Sequence, residues 1–260
     1  MKKIIINGLI VIFALIFIFS AFKISKFFID LNNNKKMNEE IIEKFIKIEE
    51  PSVDDNDEDN NEKITVDFGN LLNINSDVRG WIMFNGNKVN NPITQSSDNN
   101  YYLDHSIYKT NNSLGTIFMD HRNLSFDDRN VVLFGHNSTD GSMFGSLKET
   151  LEDSFFNKYE NSLIKIIDTD NTIKYYEIFS VYTIVKEEYY ITTNFNSDEE
   201  FMKFLTIVKG RSIKDFKIDL SATDKVLTLS TCDGVGGTDR RLVVHARLKT
   251  DFVETDNIKA

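Results

Sequence analysis

From position 64 to 248 the apolar residues arrive in short β-branched and aromatic runs, at 81–84, 115–119, 130–135, 163–168, 173–186, 225–231 and 241–248, divided by glycine, asparagine and aspartate turns. Helical spacing intervenes only around 68–72, 151–159 and 197–208. Many short strands with a few helices, and no regular strand-helix alternation, rule out a doubly wound sheet. The expected class is α+β, mainly β: a barrel or sandwich with helical decoration.

The first thirty residues follow another rule. Positions 4–22 form a nineteen-residue apolar run interrupted only by Asn7, Gly8 and Ser20, long enough to cross a bilayer as a helix. A cleaved signal peptide would have a shorter apolar centre and a small-residue cleavage site, whereas Ser20-Ala21-Phe22 runs on into Lys23 and Phe27-Phe28. Residues 1–30 are therefore expected to be an uncleaved signal anchor. Lys2 and Lys3 before the run and Lys23, Lys26, Lys35 and Lys36 after it leave its orientation open.

Residues 38–50 space Ile41, Ile42, Phe45, Ile46 and Ile48 among Glu and Lys as an amphipathic helix would, and Pro51 ends that pattern. Residues 54–62 are Asp, Asn and Glu throughout, with no apolar side chain to bury. They also lack the glycine that turns a calcium-binding EF-hand loop, so they read as a solvated linker. The expected organisation is an anchor (1–30), a helical stalk with an acidic linker (31–63) and a catalytic domain (64–260).

The formal net charge is −10, and four lysines and one aspartate before Leu31 leave about −13 on the rest. That argues against nucleic-acid binding by bulk electrostatics. Cys232 is the only cysteine, so no internal disulfide can form. A lone thiol is ordinarily a small buried hydrophobe. Here, however, it ends the apolar run 225–231 and precedes the glycines at 234, 236 and 237, where a scaffold offers a side chain to a ligand.

Such a thiol needs a base or cation nearby to become a nucleophile. His136 also stands where an apolar run, 131–135, opens into a polar loop, whereas His105, His121 and His245 suit surface or structural roles. Acyl transfer further requires donors for the developing oxyanion. Arg241 begins the strand after Cys232, and an antiparallel pairing would return it to the thiol; Arg240, which would face the opposite side, is its rival.

Together these residues resemble a known family. Thr228-Leu229-Ser230-Thr231-Cys232 followed by Arg241-Leu242-Val243-Val244 is similar to the signature of the sortases. Gly80-Trp81-Ile82, Asn91-Pro92-Ile93-Thr94-Gln95, Asn100-Tyr101-Tyr102-Leu103, the segment from Gly115 to Asp120, and Gly135-His136-Asn137 with Asp140 to Phe144 extend the resemblance toward class B, across positions 66–248.

The resemblance implies an eight-stranded β-barrel with an N-terminal helical extension, a long helix before the cysteine strand, and a single-pass cell-membrane protein with its catalytic domain outside a Gram-positive cell. It implies Cys232, His136 and Arg241 as catalytic residues, and a substrate surface including Ser230, Thr231, Asp233, Tyr190 and Thr192. The implied reaction cleaves a C-terminal sorting signal of secreted proteins after Thr, through a thioester, and passes the acyl group to an amine of peptidoglycan or its precursor. It needs no metal or organic cofactor. Three other readings stay open on sequence alone: a pilin-polymerising sortase, an extracellular cysteine protease that uses water, and a binding domain in which Cys232 is merely buried.

Overall fold

The structure is a computed structural model, and it describes residues 2–49, 63–185, 187–232 and 239–250. Helix α1, Lys2–Phe45, is continuous. Side chains 4–22 are exposed along their whole length, but Leu31, Asn34, Ile41 and Phe45 are buried. With the half-buried Asn38 these residues make a three-then-four spacing, the period of a single helix face. The buried stripe thus begins seven residues earlier than the amphipathic pattern suggests. Two amide contacts hold it: Asn38 Nδ2 donates to the Asn90 carbonyl at 3.2 Å, and Asn91 Nδ2 donates to Asn38 Oδ1 at 2.8 Å.

The helix ends at Phe45, and Ile46–Glu49 continues as strand β1, antiparallel to β2, Lys63–Val66, with Ile46 opposite Val66 and Ile48 opposite Ile64. The isoleucines at 46 and 48 that read as a last helical turn therefore serve a period-two pattern. The acidic stretch lies outside the described residues, and its flanks are the two strands of a hairpin. Helix α2, Phe68–Ile74, follows, capped by Asp67 Oδ1 accepting from the Asn70 amide at 3.1 Å.

Eight strands close a barrel: β3 (Val78–Phe84), β4 (Val89–Thr94), β5 (Phe118–Met119), β6 (Asn130–Phe134), β7 (Leu163–Asp168), β8 (Ile173–Val185), β9 (Val226–Cys232) and β10 (Arg240–Leu248), in the order β10-β8-β7-β3-β4-β5-β6-β9. β4/β5 and β6/β9 are parallel and the other pairs antiparallel. Closure leaves no unpaired edge in the ring. Alternation sends Val131 and Leu133, Leu227 and Leu229, and Leu242 and Val244 into one apolar core with Ile82 and Phe84. Helix α3, Asp198–Gly210, covers part of the outer surface with Phe201, Phe204, Leu205 and Val208, packed on Phe179 and Val226. Its N-cap is Ser197, whose Oγ accepts from the Glu200 amide.

Three elements differ from the sequence pattern. The 115–119 strand shrinks to two residues because Gly115 adopts φ +59°, outside strand space. The 151–159 helix is a series of 3₁₀ turns, broken where Glu152 and Lys158 are extended. β4 is disguised by Asn90-Asn91-Pro92, yet Pro92 sits directly opposite Trp81.

Candidate active site

β6, β9 and β10 are neighbours in the ring, and their register brings distant positions together. Arg241 is the cross-strand partner of Cys232. In the parallel pair, Phe134 is opposite Ser230, and the Gly135 amide extends the ladder to the Ser230 carbonyl at 3.3 Å. Two residues beyond that last pair, on each strand, stand His136 and Cys232. The position of the thiol residue is thus flanked by a histidine on one side and an arginine on the other, at one rim of the barrel.

Parity decides between the two arginines. Leu242 and Val244 belong to the interior core, so Arg240 shares their parity while Arg241 shares that of Val243 and His245 on the outer face. Arg241 is half-buried, with Nη1 donating to the Arg240 carbonyl at 2.9 Å. Arg240 is exposed and reaches Thr183 Oγ1 at 3.3 Å.

His136 is oriented by packing and by one hydrogen bond. A Cβ at Gly135 would meet the Phe144 ring at 2.8 Å, so glycine lets buried Phe144 close beneath the loop, and the Phe144 amide donates to the His136 carbonyl at 3.0 Å. His136 Nε2 lies 2.7 Å from the Leu103 carbonyl. A carbonyl only accepts, so Nε2 carries a proton and Nδ1 is the nitrogen left to take or give one. The Leu103 carbonyl is fixed in turn. Tyr102 in the same 3₁₀ turn donates its hydroxyl to Asp77 and accepts from Asn75 Nδ2. Gly115 backs directly onto the turn: any Cβ there would fall 2.2 Å from the Tyr102 carbonyl.

Further along the same outer face lies a different histidine. His245 is fully buried, with Thr228 Oγ1 2.8 Å from Nδ1 and Tyr182 OH 2.9 Å from Nε2. Asn130 Nδ2 donates to the Thr192 carbonyl, which turns Asn130 Oδ1 toward Thr228. The single Thr228 proton must go to that oxygen, so His245 Nδ1 is the donor to Thr228 and Nε2 accepts from Tyr182. Burial, with Arg211 nearby, pushes the His245 pKa down to about 3. It is a neutral structural histidine with both nitrogens committed.

The expected substrate residues divide. Tyr190 OH and Ser230 Oγ are 3.0 Å apart on this outer face. The Thr192 hydroxyl donates to the Tyr189 carbonyl, and its own carbonyl is held by Asn130. Tyr190, Ser230 and Thr231 are all buried, and Thr231 differs in parity, sharing the interior side with Leu227 and Leu229. Asp233 lies outside the described residues.

Sequence reasoning missed the pair beneath this loop. Asp120, fully buried, accepts from Arg122 Nε and Nη2 at 2.8 and 2.7 Å, and Arg122 Nη2 also donates to the Ile191 carbonyl at 2.8 Å. Burial alone would raise the Asp120 pKa, but Arg122 holds it below the usual carboxylate range. Asp120 and Arg122 lie two residues apart in the chain, and only the fold shows the carboxylate buried and the guanidinium folded back onto it.

Similarity to known proteins now has a geometry to match. Residues 86–249 fit the model of the sortase domain. The chain is 35% identical over 191 residues to sortase B of Staphylococcus aureus, covering 72% of this chain and 76% of that one, and 33% identical over 192 residues to sortase B of Listeria monocytogenes, covering 73% and 77%. The chain belongs to the sortase B family. A crystal structure of sortase B from Bacillus anthracis superposes with a TM-score of 0.70 at 36% identity, covering 85% of this chain and 98% of that one. The eight-stranded barrel with an N-terminal helix is the architecture of these sortase B structures, and the enzyme is a sortase B-type transpeptidase. Its apolar helix is consistent with a membrane anchor, and its family implies protein substrates and cell-wall amine acceptors.

Proposed function

We propose that this sortase cleaves a C-terminal sorting signal after a threonine in secreted proteins and joins the new carboxyl end to a peptidoglycan amino group. The observation that supports this reading is the register of β6, β9 and β10: Arg241 is the cross-strand partner of Cys232, and positions 136 and 232 each follow the Phe134–Ser230 pair by two residues.

The Cys232 thiolate attacks the threonine carbonyl, and the negative charge moves to the carbonyl oxygen, where Arg241 stabilises it. As that tetrahedral species collapses, the C–N bond breaks, and His136 gives the leaving amine a proton from Nδ1. A thioester remains. The incoming amine attacks it, His136 Nδ1 takes the proton released, and the thiolate leaves as the new amide forms. The half-buried residues Tyr189, Ile191 and Thr192 would line the peptide's path, with Tyr190 and Ser230 buried and bonded to each other. In this reading residues 1–30 form a single-pass anchor and the barrel faces the cell exterior.

Mass spectrometry of the full chain incubated with a peptide library tests it. An acyl adduct on Cys232 is expected, absent in Cys232→Ala and transferred to triglycine or diaminopimelate when either is added. An adduct that survives Cys232→Ala would overturn the nucleophile. Release only to water, whatever the amine, would make the enzyme a protease.

A further inference from the structure

Residues 187–197 lead from β8 to α3 with one 3₁₀ turn, Tyr189–Ile191. Its own bonds are long: the Ile191 and Thr192 amides donate to the Glu188 and Tyr189 carbonyls at 3.3 and 3.2 Å. A single turn of this kind is weak by itself, so its shape depends on what its neighbours supply.

Side chains of the barrel supply it. Tyr190 OH meets Ser230 Oγ of β9 at 3.0 Å, Asn130 Nδ2 of β6 donates to the Thr192 carbonyl at 2.8 Å, and Arg122 Nη2 donates to the Ile191 carbonyl at 2.8 Å. Tyr190, Ser230 and Asn130 are buried, whereas the Arg122 side chain is 38% exposed. Arg122 therefore fastens the turn from its solvent side.

That guanidinium is itself aimed. Asp120 follows β5 directly; its amide donates to the Val132 carbonyl of β6 at 2.9 Å, and its carbonyl accepts from Gln95 Nε2 at 2.8 Å. Its buried carboxylate accepts from Arg122 Nε and Nη2, from the Arg122 amide at 2.9 Å and from Asn99 Nδ2 at 3.0 Å. A planar fork gripped along one edge by both carboxylate oxygens keeps its heading. The second Nη2 proton then points at the Ile191 carbonyl.

The fastened turn lies close to the thiol residue. Ser230 precedes Cys232 by two residues on β9, about 7 Å along the strand.

We propose that Arg122, aimed by Asp120, is a positioning residue that holds the 189–192 turn in the shape that receives the substrate peptide, and so sets peptide affinity and not the rate of acyl transfer. The identity of the peptide rests on the transpeptidation reading above; the brace does not. Once the turn is ordered in only a fraction of molecules, apparent affinity falls by that fraction, while a bound peptide re-forms the turn and reacts at the old rate.

The test uses the full chain in detergent micelles and the library peptide that loads Cys232 fastest. Arg122→Gln is expected to raise KM about tenfold with kcat within about twofold of wild type, the signature of lost ground-state binding. Asp120→Asn, which loosens the anchor of the guanidinium, should raise KM in the same direction. Hydrogen exchange at the amides of 191 and 192 should quicken about tenfold in Arg122→Gln, while alkylation of Cys232 by iodoacetamide keeps its wild-type rate. Should Arg122→Gln melt below the assay temperature, Arg122→Lys keeps a charge for Asp120 without the fork and carries the same expectation. A folded variant at position 122 with wild-type KM, with unchanged exchange at those amides, or with a fall in kcat larger than the rise in KM would overturn the proposal. A wild type that no library peptide acylates, beside faster exchange in the variant, would refute the transpeptidation reading and leave the brace standing.

Discussion

Midway along β9 and β10 the outer sheet face closes around His245; four residues further on, at the rim, the same face carries positions 136, 232 and 241. The two places share strands and a residue type, yet their surroundings are opposite. His245 is fully buried with both ring nitrogens committed, so it stays neutral and cements the sheet. His136 is half-exposed, and only Nε2 is tied to a carbonyl. Desolvation and the number of committed nitrogens, not strand position alone, divide the structural His245 from His136, the histidine proposed as the acid and base.

Exchanging the two losses is the strongest way to break this contrast. His136→Ala and Arg241→Ala should each lower transpeptidation by about 10²–10⁴-fold with melting temperatures close to wild type. His245→Ala should cost about 2–4 kcal/mol in urea unfolding, through a cavity and an orphaned Tyr182 hydroxyl, while the folded fraction keeps most of its activity. If His245→Ala were stable and inactive, the assignment of roles would be reversed.

Gly115→Ala sharpens the comparison at the rim. Strain at a left-handed position costs about 1–3 kcal/mol, and shifting the turn that carries the Leu103 carbonyl should lower kcat more than it raises KM. A variant with a lower melting temperature and wild-type kcat would show that this carbonyl does not orient the imidazole.

Acid supplies the most gradual effect. With a folded pKa near 3 against an ordinary 6.5, His245 binds its proton only on unfolding. Its contribution to stability is therefore complete above about pH 6.5 and is lost as pH falls toward 3, at up to ~1.4 kcal/mol per unit. Unfolding free energies measured from pH 7 to 4 should show a shallower slope in His245→Gln than in wild type; equal slopes would mean that the buried imidazole is not the group responsible.

Much of this was legible in the chain itself. Strand ends next to loops picked out His136 and Cys232, and the β7 bounds read from the sequence coincide with Leu163–Asp168. β4 was hidden because proline and paired asparagines resemble a turn, and only a partner strand makes such a segment extended. The hairpin around the acidic stretch was hidden for the same reason: Ile46 and Ile48 fit a helical period until Ile64 and Val66 come beside them. The brace on His136 left no trace because it is a main-chain oxygen, and any residue at position 103 would supply one. Thr231 read as a groove residue beside Ser230, but one step along a strand is a change of face.

Helix α1 has a mechanical consequence. It runs without a break from its apolar half to the stripe docked on the barrel, and Phe22 and Asn34 are only about 18 Å apart at 1.5 Å per residue. With the apolar half seated in a bilayer, the catalytic rim would ride at a set height and heading, like a lamp on a short post. The reach of the enzyme would then be decided by which polymers pass through that shell, and not by the swing of a tether.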